Sequence, residues 1–114
     1  MSILTISLAA GDAGPVMVLS GETDITTVRE LTDALNAQMT DGVRRLTIDI
    51  SALRFADTAS IRALVLSARS LNERGGALEL LNPSAALASA LALMGVEHIF
   101  SIRTQTSQPG PDNT

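Results

Sequence analysis

The sequence has no cysteine, no lysine, no tryptophan and no tyrosine, and its 114 residues include a single histidine, His98. Without cysteine there can be no disulfide, thiolate metal site or cysteine nucleophile. One histidine cannot build a multi-histidine metal centre. Every basic residue is an arginine, which removes a phosphate-loop lysine, a Schiff-base lysine and a lysine general base. The 12 acidic residues outnumber the 8 basic ones and leave a net charge of −4, so the basic footprint of a nucleic-acid-binding protein is missing. The longest apolar stretch, Ala85 to Met94, is interrupted by Ser89. It falls far short of the roughly 20 residues of a membrane span. The opening Met1-Ser2-Ile3-Leu4-Thr5 lacks the basic start of a signal peptide. The expectation is a cytoplasmic protein with no cofactor, no metal and no membrane insertion.

What is present is a globular composition. Hydrophobic residues make up 46% and charged residues 18%, and a chain of this length forms one domain with a real core. Ile3 to Ala9 reads as a strand, Gly11-Asp12-Ala13-Gly14-Pro15 as a turn, and the continuous Val16-Met17-Val18-Leu19 as a buried strand, giving a hairpin. Gly21-Glu22-Thr23-Asp24 reads as a loop. Val28, Leu31, Leu35 and Met39 then recur at helical spacing, with Asp24 or Thr26 as the cap and Gly42 as the stop.

Leu46, Ile48 and Ile50 alternate with Thr47 and Asp49, as in a half-buried strand, and Ser51 to Ala56 reads as a loop. A second helix carries Ile61, Leu64, Val65, Ala68 and Leu71 on one face and ends at Gly75-Gly76. Leu78, Leu80 and Leu81 make a strand. Pro83-Ser84 opens an Ala-rich helix that stops at Gly95, and Ile99, Phe100 and Ile102 form a last strand. The domain is expected over 1–102, with 103–114 a polar, disordered tail. The order ββαβαβαβ predicts an α/β fold. Its sheet of four to five strands is mixed and mainly parallel, with helices packed mostly on one face.

In such sheets function gathers in loops at the carboxyl ends of the strands. Two loops qualify: Gly21-Glu22-Thr23-Asp24, and Asp57-Thr58-Ala59-Ser60 at the start of the second helix. Asp57-Thr58 has two readings, a helix cap or a phosphorylatable hydroxyl. A phosphate there would meet the free N–H groups and the favourable end of the helix dipole. Asp49 reads as a solvated strand residue, because an aspartyl-phosphate receiver needs a lysine and an acidic pair that this chain lacks. His98 reads as a surface residue, since no convincing Ser/His/Asp order exists.

Three runs together carry a family resemblance: Leu46-Thr47-Ile48-Asp49-Ile50-Ser51 through Phe55-Ala56-Asp57-Thr58-Ala59-Ser60-Ile61, then Leu19-Ser20-Gly21-Glu22-Thr23-Asp24, then Leu93-Met94-Gly95-Val96-Glu97-His98-Ile99-Phe100. In their chain order and spacing they resemble the STAS domains of bacterial anti-sigma-factor antagonists. The resemblance implies a non-enzymatic partner switch. The unmodified antagonist binds an anti-sigma factor that is itself a serine/threonine kinase, which frees the sigma factor. Phosphorylation of the residue after the motif aspartate ends the binding, and a PP2C-type phosphatase reverses it. By this resemblance Asp57 is the motif aspartate, Thr58 the phosphoacceptor and Ser60 a fallback. Glu22, Asp24, Asp57, Thr58, Ser60, Ile61 and Arg62 form the partner surface. The chain departs from the family in Thr58-Ala59-Ser60, where a Ser-Ser-Gly-like run is frequent, and in lacking a C-terminal helix. A STAS subunit on the ATPase of an ABC-type lipid transport complex is the alternative.

Overall fold

The computed structural model describes residues 3–104. Its elements follow the expected order: β1 (Leu4–Gly11), β2 (Gly14–Glu22), α1 (Val28–Thr40), β3 (Arg45–Phe55), α2 (Thr58–Glu73), β4 (Ala77–Leu81), α3 (Ala85–Leu93), a 3₁₀ turn over Glu97–Ile99, and β5 (Ser101–Arg103). The five strands form one sheet in the order β1-β2-β3-β4-β5. β1 and β2 are antiparallel, closed by a two-residue turn between Gly11 and Gly14. The remaining pairs are parallel. Neighbouring parallel strands joined in sequence by right-handed crossovers place all three helices on one side of the sheet.

That side holds the core. Met17, Leu19, Leu46, Ile48, Leu78 and Leu80 face it from the strands and are essentially without exposure. Leu31 and Leu35 of α1, Leu87 and Leu91 of α3, and all five expected α2 positions (Ile61, Leu64, Val65, Ala68, Leu71) pack against them. The opposite face carries half-buried Thr47, Asp49 and Glu79. There Glu79 accepts from Thr47 across β3 and β4 (3.3 Å), and Arg103 reaches it with two hydrogen bonds (3.0 and 2.9 Å). The Arg103 guanidinium, by hydrogen bond and by charge, holds the Glu79 carboxyl below its ordinary value.

Three boundaries differ from expectation. β3 continues through Ser51 to Phe55, where a loop was expected. Its second half pairs with β2 alone, because the β4 pairing ends at Asp49 and Leu81. Two register shifts against β2 break the alternation there, so the sequence pattern fades while the ladder persists. For the same reason Gly21 and Glu22 belong to β2 and not to a loop. The last strand starts later than expected. Ile99 sits in the 3₁₀ turn and Phe100 is buried just before β5, so both apolar residues serve packing and not pairing. β5 ends on Arg103, the residue at which the tail was expected to begin. The rest of that expected tail, from 105 on, lies outside the described residues.

Candidate functional site

The carboxyl ends of β2 and β3 lie side by side, so the two loops singled out from the sequence meet. Gly21 makes the bend possible. Its φ is +98°, and a Cβ there would fall 1.9 Å from the Ile3 carbonyl oxygen. Only glycine tolerates both conditions. Two residues later the Thr23 N–H donates to the Phe55 carbonyl at 3.0 Å.

The Thr23 side chain then ties the loops together. Its hydroxyl donates to Asp57 Oδ1 at 2.7 Å and accepts from the Asp57 N–H at 3.0 Å. Thr23 is 1% exposed, so this reciprocal pair is shielded from competing water. Asp57 is the N-cap of α2, accepting from the Ser60 N–H at 3.3 Å. Burial pushes the Asp57 carboxyl up. The nearby Ser60, the Thr23 hydroxyl and the backbone N–H of Ser60 outweigh this and hold it below the ordinary carboxylate range. The group is therefore charged at neutral pH.

Thr58 is the first residue of α2 and is exposed. Asp57 does the capping, so of the two neighbouring residues read as a cap it is the aspartate that serves. No described residue hydrogen-bonds the Thr58 hydroxyl. Arg62 is exposed one turn further along the same helix, on the side of Thr58 by its i,i+4 spacing.

Asp24 organises the entry to α1. Its Oδ1 accepts from the Thr26 and Thr27 N–H groups (2.8 and 3.1 Å) and from the Thr26 hydroxyl, and the Thr27 hydroxyl accepts from the Asp24 N–H (2.9 Å). This reciprocal arrangement has the logic of a capping box. The Thr26 hydroxyl, followed by the backbone donors, keeps Asp24 below its ordinary value. Glu22, at the end of β2, pairs with Arg54 at 3.5 Å on the surface.

Five of the seven expected surface residues thus gather at one end of the sheet: Glu22, Asp24, Asp57, Thr58 and Arg62. The other two require correction. Ser60 is 0% exposed and Ile61 4%, because the first inward-facing turn of α2 falls on them. Ser60 is out of reach as a fallback phosphoacceptor, and Ile61 serves the core. The Ser60 hydroxyl lies near Asp57, yet no hydrogen bond of full geometry reaches it.

The sequence reading missed three contributors. Thr23 looked like a loop residue, and only its burial reveals the link. Ile25 (75% exposed) and Phe55 (55%) present apolar surface beside the two loops; apolar residues next to strand ends were the available signal. A groove of about 270 Å³ also runs between α1 and α2, lined by Val28, Leu35, Ala59, Arg62 and the half-exposed Leu66. Among the described residues no cluster of His, Asp and Glu is placed to hold a metal, and no helix is long and apolar enough to cross a membrane.

Comparison with solved structures gives the same fold. An anti-sigma factor antagonist from Mycobacterium paratuberculosis superposes with a TM-score of 0.80 at 24% identity, covering 91% of this chain and 87% of that one. The Bacillus cell fate determinant SpoIIAA in its phosphorylated form gives 0.73 at 21% identity, covering 90% and 93%. A serine-to-glutamate form of RsbS from Moorella thermoacetica gives 0.66 at 25% identity, covering 89% and 87%. No curated protein matches the sequence. A family model described as "Mlab, STAS domain" matches residues 6–104, nearly the whole described chain, and the protein belongs to the STAS domain family.

Proposed function

We propose that this STAS domain is an anti-sigma-factor antagonist. In this reading its unphosphorylated form binds an anti-sigma factor kinase and frees the sigma factor, and phosphorylation at Thr58 releases the partner. The observation that carries the proposal is the position of Thr58. Thr58 is exposed, its hydroxyl bonded by no described residue, at the first residue of a helix whose cap is already supplied by Asp57. A kinase can reach it without breaking a native hydrogen bond. The phosphate would sit at the favourable end of the helix dipole, so the fold tolerates the modification.

The effect would fall on the partner. Phosphorylation adds about −1.5 to −2 charges beside a carboxylate that is already ionised. A carboxylate of the partner placed about 4 Å from that phosphate, at an effective dielectric near 20, would cost about 4 kcal/mol. Half of that weakens binding more than tenfold. The exposed Ile25 and Phe55 give the partner apolar anchors, and Glu22, Asp24 and Arg62 give it polar ones. A PP2C-type phosphatase would restore the binding form. The domain acts here as a regulator in the cytoplasm, without turnover of its own.

The second reading is a STAS subunit on the ATPase of an ABC-type lipid transport complex. It is kept because the matching family model is described by Mlab and not by an antagonist. A pull-down with wild type and Thr58→Glu as paired baits separates the two. Recovery of a kinase-like anti-sigma factor on wild type, reduced at least tenfold on Thr58→Glu, is the expected result. Recovery of an ABC ATPase would replace the antagonist reading, and equal recovery of the kinase on both baits would remove Thr58 as the switch.

A further inference from the structure

α1 and α2 run side by side in the same direction. Arg74, the C-cap of α2, donates to the Met39 carbonyl near the end of α1 at 3.3 Å. Toward each other the helices turn residues of successive turns: Val28, Thr32 and Asn36 from α1, Ala59, Ala63 and Ser67 from α2. Each set occupies positions i, i+4 and i+8, which cover about 12 Å at about 1.5 Å per residue. The α2 set is small, so the two helices leave between them an open groove of about 270 Å³.

Three polar side chains in its lining are bonded by no described residue: Arg62, Asn36 and Ser67. Ser67 is the informative one. It is only 7% exposed, and a buried hydroxyl left without a partner is costly. Thr32, by contrast, donates to the Val28 carbonyl of its own helix at 2.8 Å. The rest of the lining is aliphatic. These features restrict the occupant. The two phenylalanines, the only aromatic residues of the chain, lie elsewhere, so no ring is offered for stacking. No acidic side chain lines the groove, so a cation finds no counter-charge there. The volume falls just short of the 300–1,000 Å³ or so of a drug-sized site and cannot admit a helix about 10 Å across. What fits is a single aliphatic chain with an anionic head and an oxygen at its far end.

We propose that the α1–α2 groove binds a linear medium-chain hydroxy acid, with the carboxylate on Arg62 and the terminal oxygen on Ser67 and Asn36. Long helical side chains lean toward the helix N-terminus, so the Arg62 guanidinium serves the Ala59 end of the groove. Ser67 and Asn36 mark the opposite end. An extended eight-carbon ω-hydroxy acid measures about 10 Å at about 1.2 Å per bond, which matches the run of the two helices. Its methylenes lie on Ala63, Val28 and Leu66, and its hydroxyl gives the Ser67 hydroxyl the partner it lacks. The free guanidinium supplies the one charge in the lining, and the ligand brings the complementary one. This binding needs neither a phosphate on Thr58 nor an anti-sigma factor, so its test stands apart from the proposed function.

Amide NMR titrations of the full chain test this, with ω-hydroxyoctanoate, octanoate, ω-hydroxyhexanoate and octyltrimethylammonium as probes. ω-Hydroxyoctanoate should shift the Val28, Asn36, Ala63 and Ser67 amides saturably, with a Kd below about 1 mM. Octanoate should bind at least about threefold more weakly for want of one hydrogen bond. ω-Hydroxyhexanoate should bind about fourfold more weakly, since each of its two missing methylenes is worth about twofold when half removed from water. Octyltrimethylammonium should bind at least about tenfold more weakly, as the pairing of its charge with Arg62 is repulsive. Ser67→Ala should erase the preference for ω-hydroxyoctanoate over octanoate. Ala63→Leu should fill the groove and abolish the shifts at an unchanged melting temperature. Arg62→Gln, at an exposed position, keeps the groove and should weaken both acids at least about tenfold, which decides the matter even if Ala63→Leu does not fold. The proposal is overturned by the absence of saturable shifts at about 1 mM acid, by shifts centred on the exposed Leu93 or Ile25 instead of the groove, or by equal binding of octyltrimethylammonium. Undiminished binding to Arg62→Gln, or to a folded Ala63→Leu, overturns it as well.

Discussion

Asp57 holds the site together through one carboxylate with two duties. It caps α2 and it satisfies the buried Thr23 hydroxyl. Asp57→Ala removes the cap and strands Thr23, at an expected cost of about 1–3 kcal/mol. The pH dependence follows from the lowered carboxyl pKa. A carboxylate with a folded value below its unfolded value stabilises the fold fully above the unfolded value of about 3.9. That contribution drains away as pH falls through the folded value. Urea titrations of wild type and Asp57→Ala should therefore differ by a constant amount at neutral pH, and the gap should narrow only under acid. A gap that narrowed on the alkaline side would contradict the assignment. The sequence suggested a cap at Asp57-Thr58, but two neighbouring residue types favoured at caps could not be told apart. The backbone decides for Asp57, and that decision leaves the Thr58 hydroxyl without a bond to any described residue.

The elements around the site are aimed by a bend that one glycine permits. Gly21→Ala combines a left-handed φ with a Cβ placed on the Ile3 carbonyl. The strained conformation alone costs about 1–3 kcal/mol, and the collision adds to it. Thermal melts should show a loss of at least about 4 °C per kcal/mol for a domain of this size. Partner capture should fall with it, because the bend positions Thr23 over Asp57. A Gly21→Ala variant as stable as wild type would mean that the bend is not required. At this scale the sequence was legible wherever one period dominated. The α2 face, with Ile61, Leu64, Val65, Ala68 and Leu71, was read correctly because all five pack one way. β3 was read short because bulges remove alternation beyond Ile50 while the hydrogen-bond ladder goes on.

Across the whole molecule the layered design makes stability asymmetric. The core lies between the sheet and one layer of helices, so an apolar residue matters by its side and not by its type. Leu80 is fully buried in β4, whereas Leu93, at the end of α3, is 88% exposed. Leu80→Ala should cost about 2–5 kcal/mol, a large part of a typical total of about 5–15 kcal/mol. Leu93→Ala should stay within about 0.5 kcal/mol of wild type. Denaturant midpoints check both, and similar losses at the two positions would contradict the placement of α3.

The sequence by itself determined what is periodic or excluded. The missing lysine and cysteine removed whole classes of chemistry. The spacing of Leu46, Ile48 and Ile50 and of the apolar α2 residues set the order ββαβαβαβ, because burial on one face imposes a period that local composition must obey. It also pointed to Asp57-Thr58 and the Glu22–Asp24 loop, since strand ends before helices collect polar turn residues. Only the tertiary structure decided which of those residues are surface. Ser60 and Ile61 turn inward and Thr23 disappears between two loops, bonded to a residue 34 positions away in the chain. An edge strand reads as any other strand in sequence. That β1 and β5 stand at the two ends of the strand order depends on pairings between distant segments, which no local pattern records.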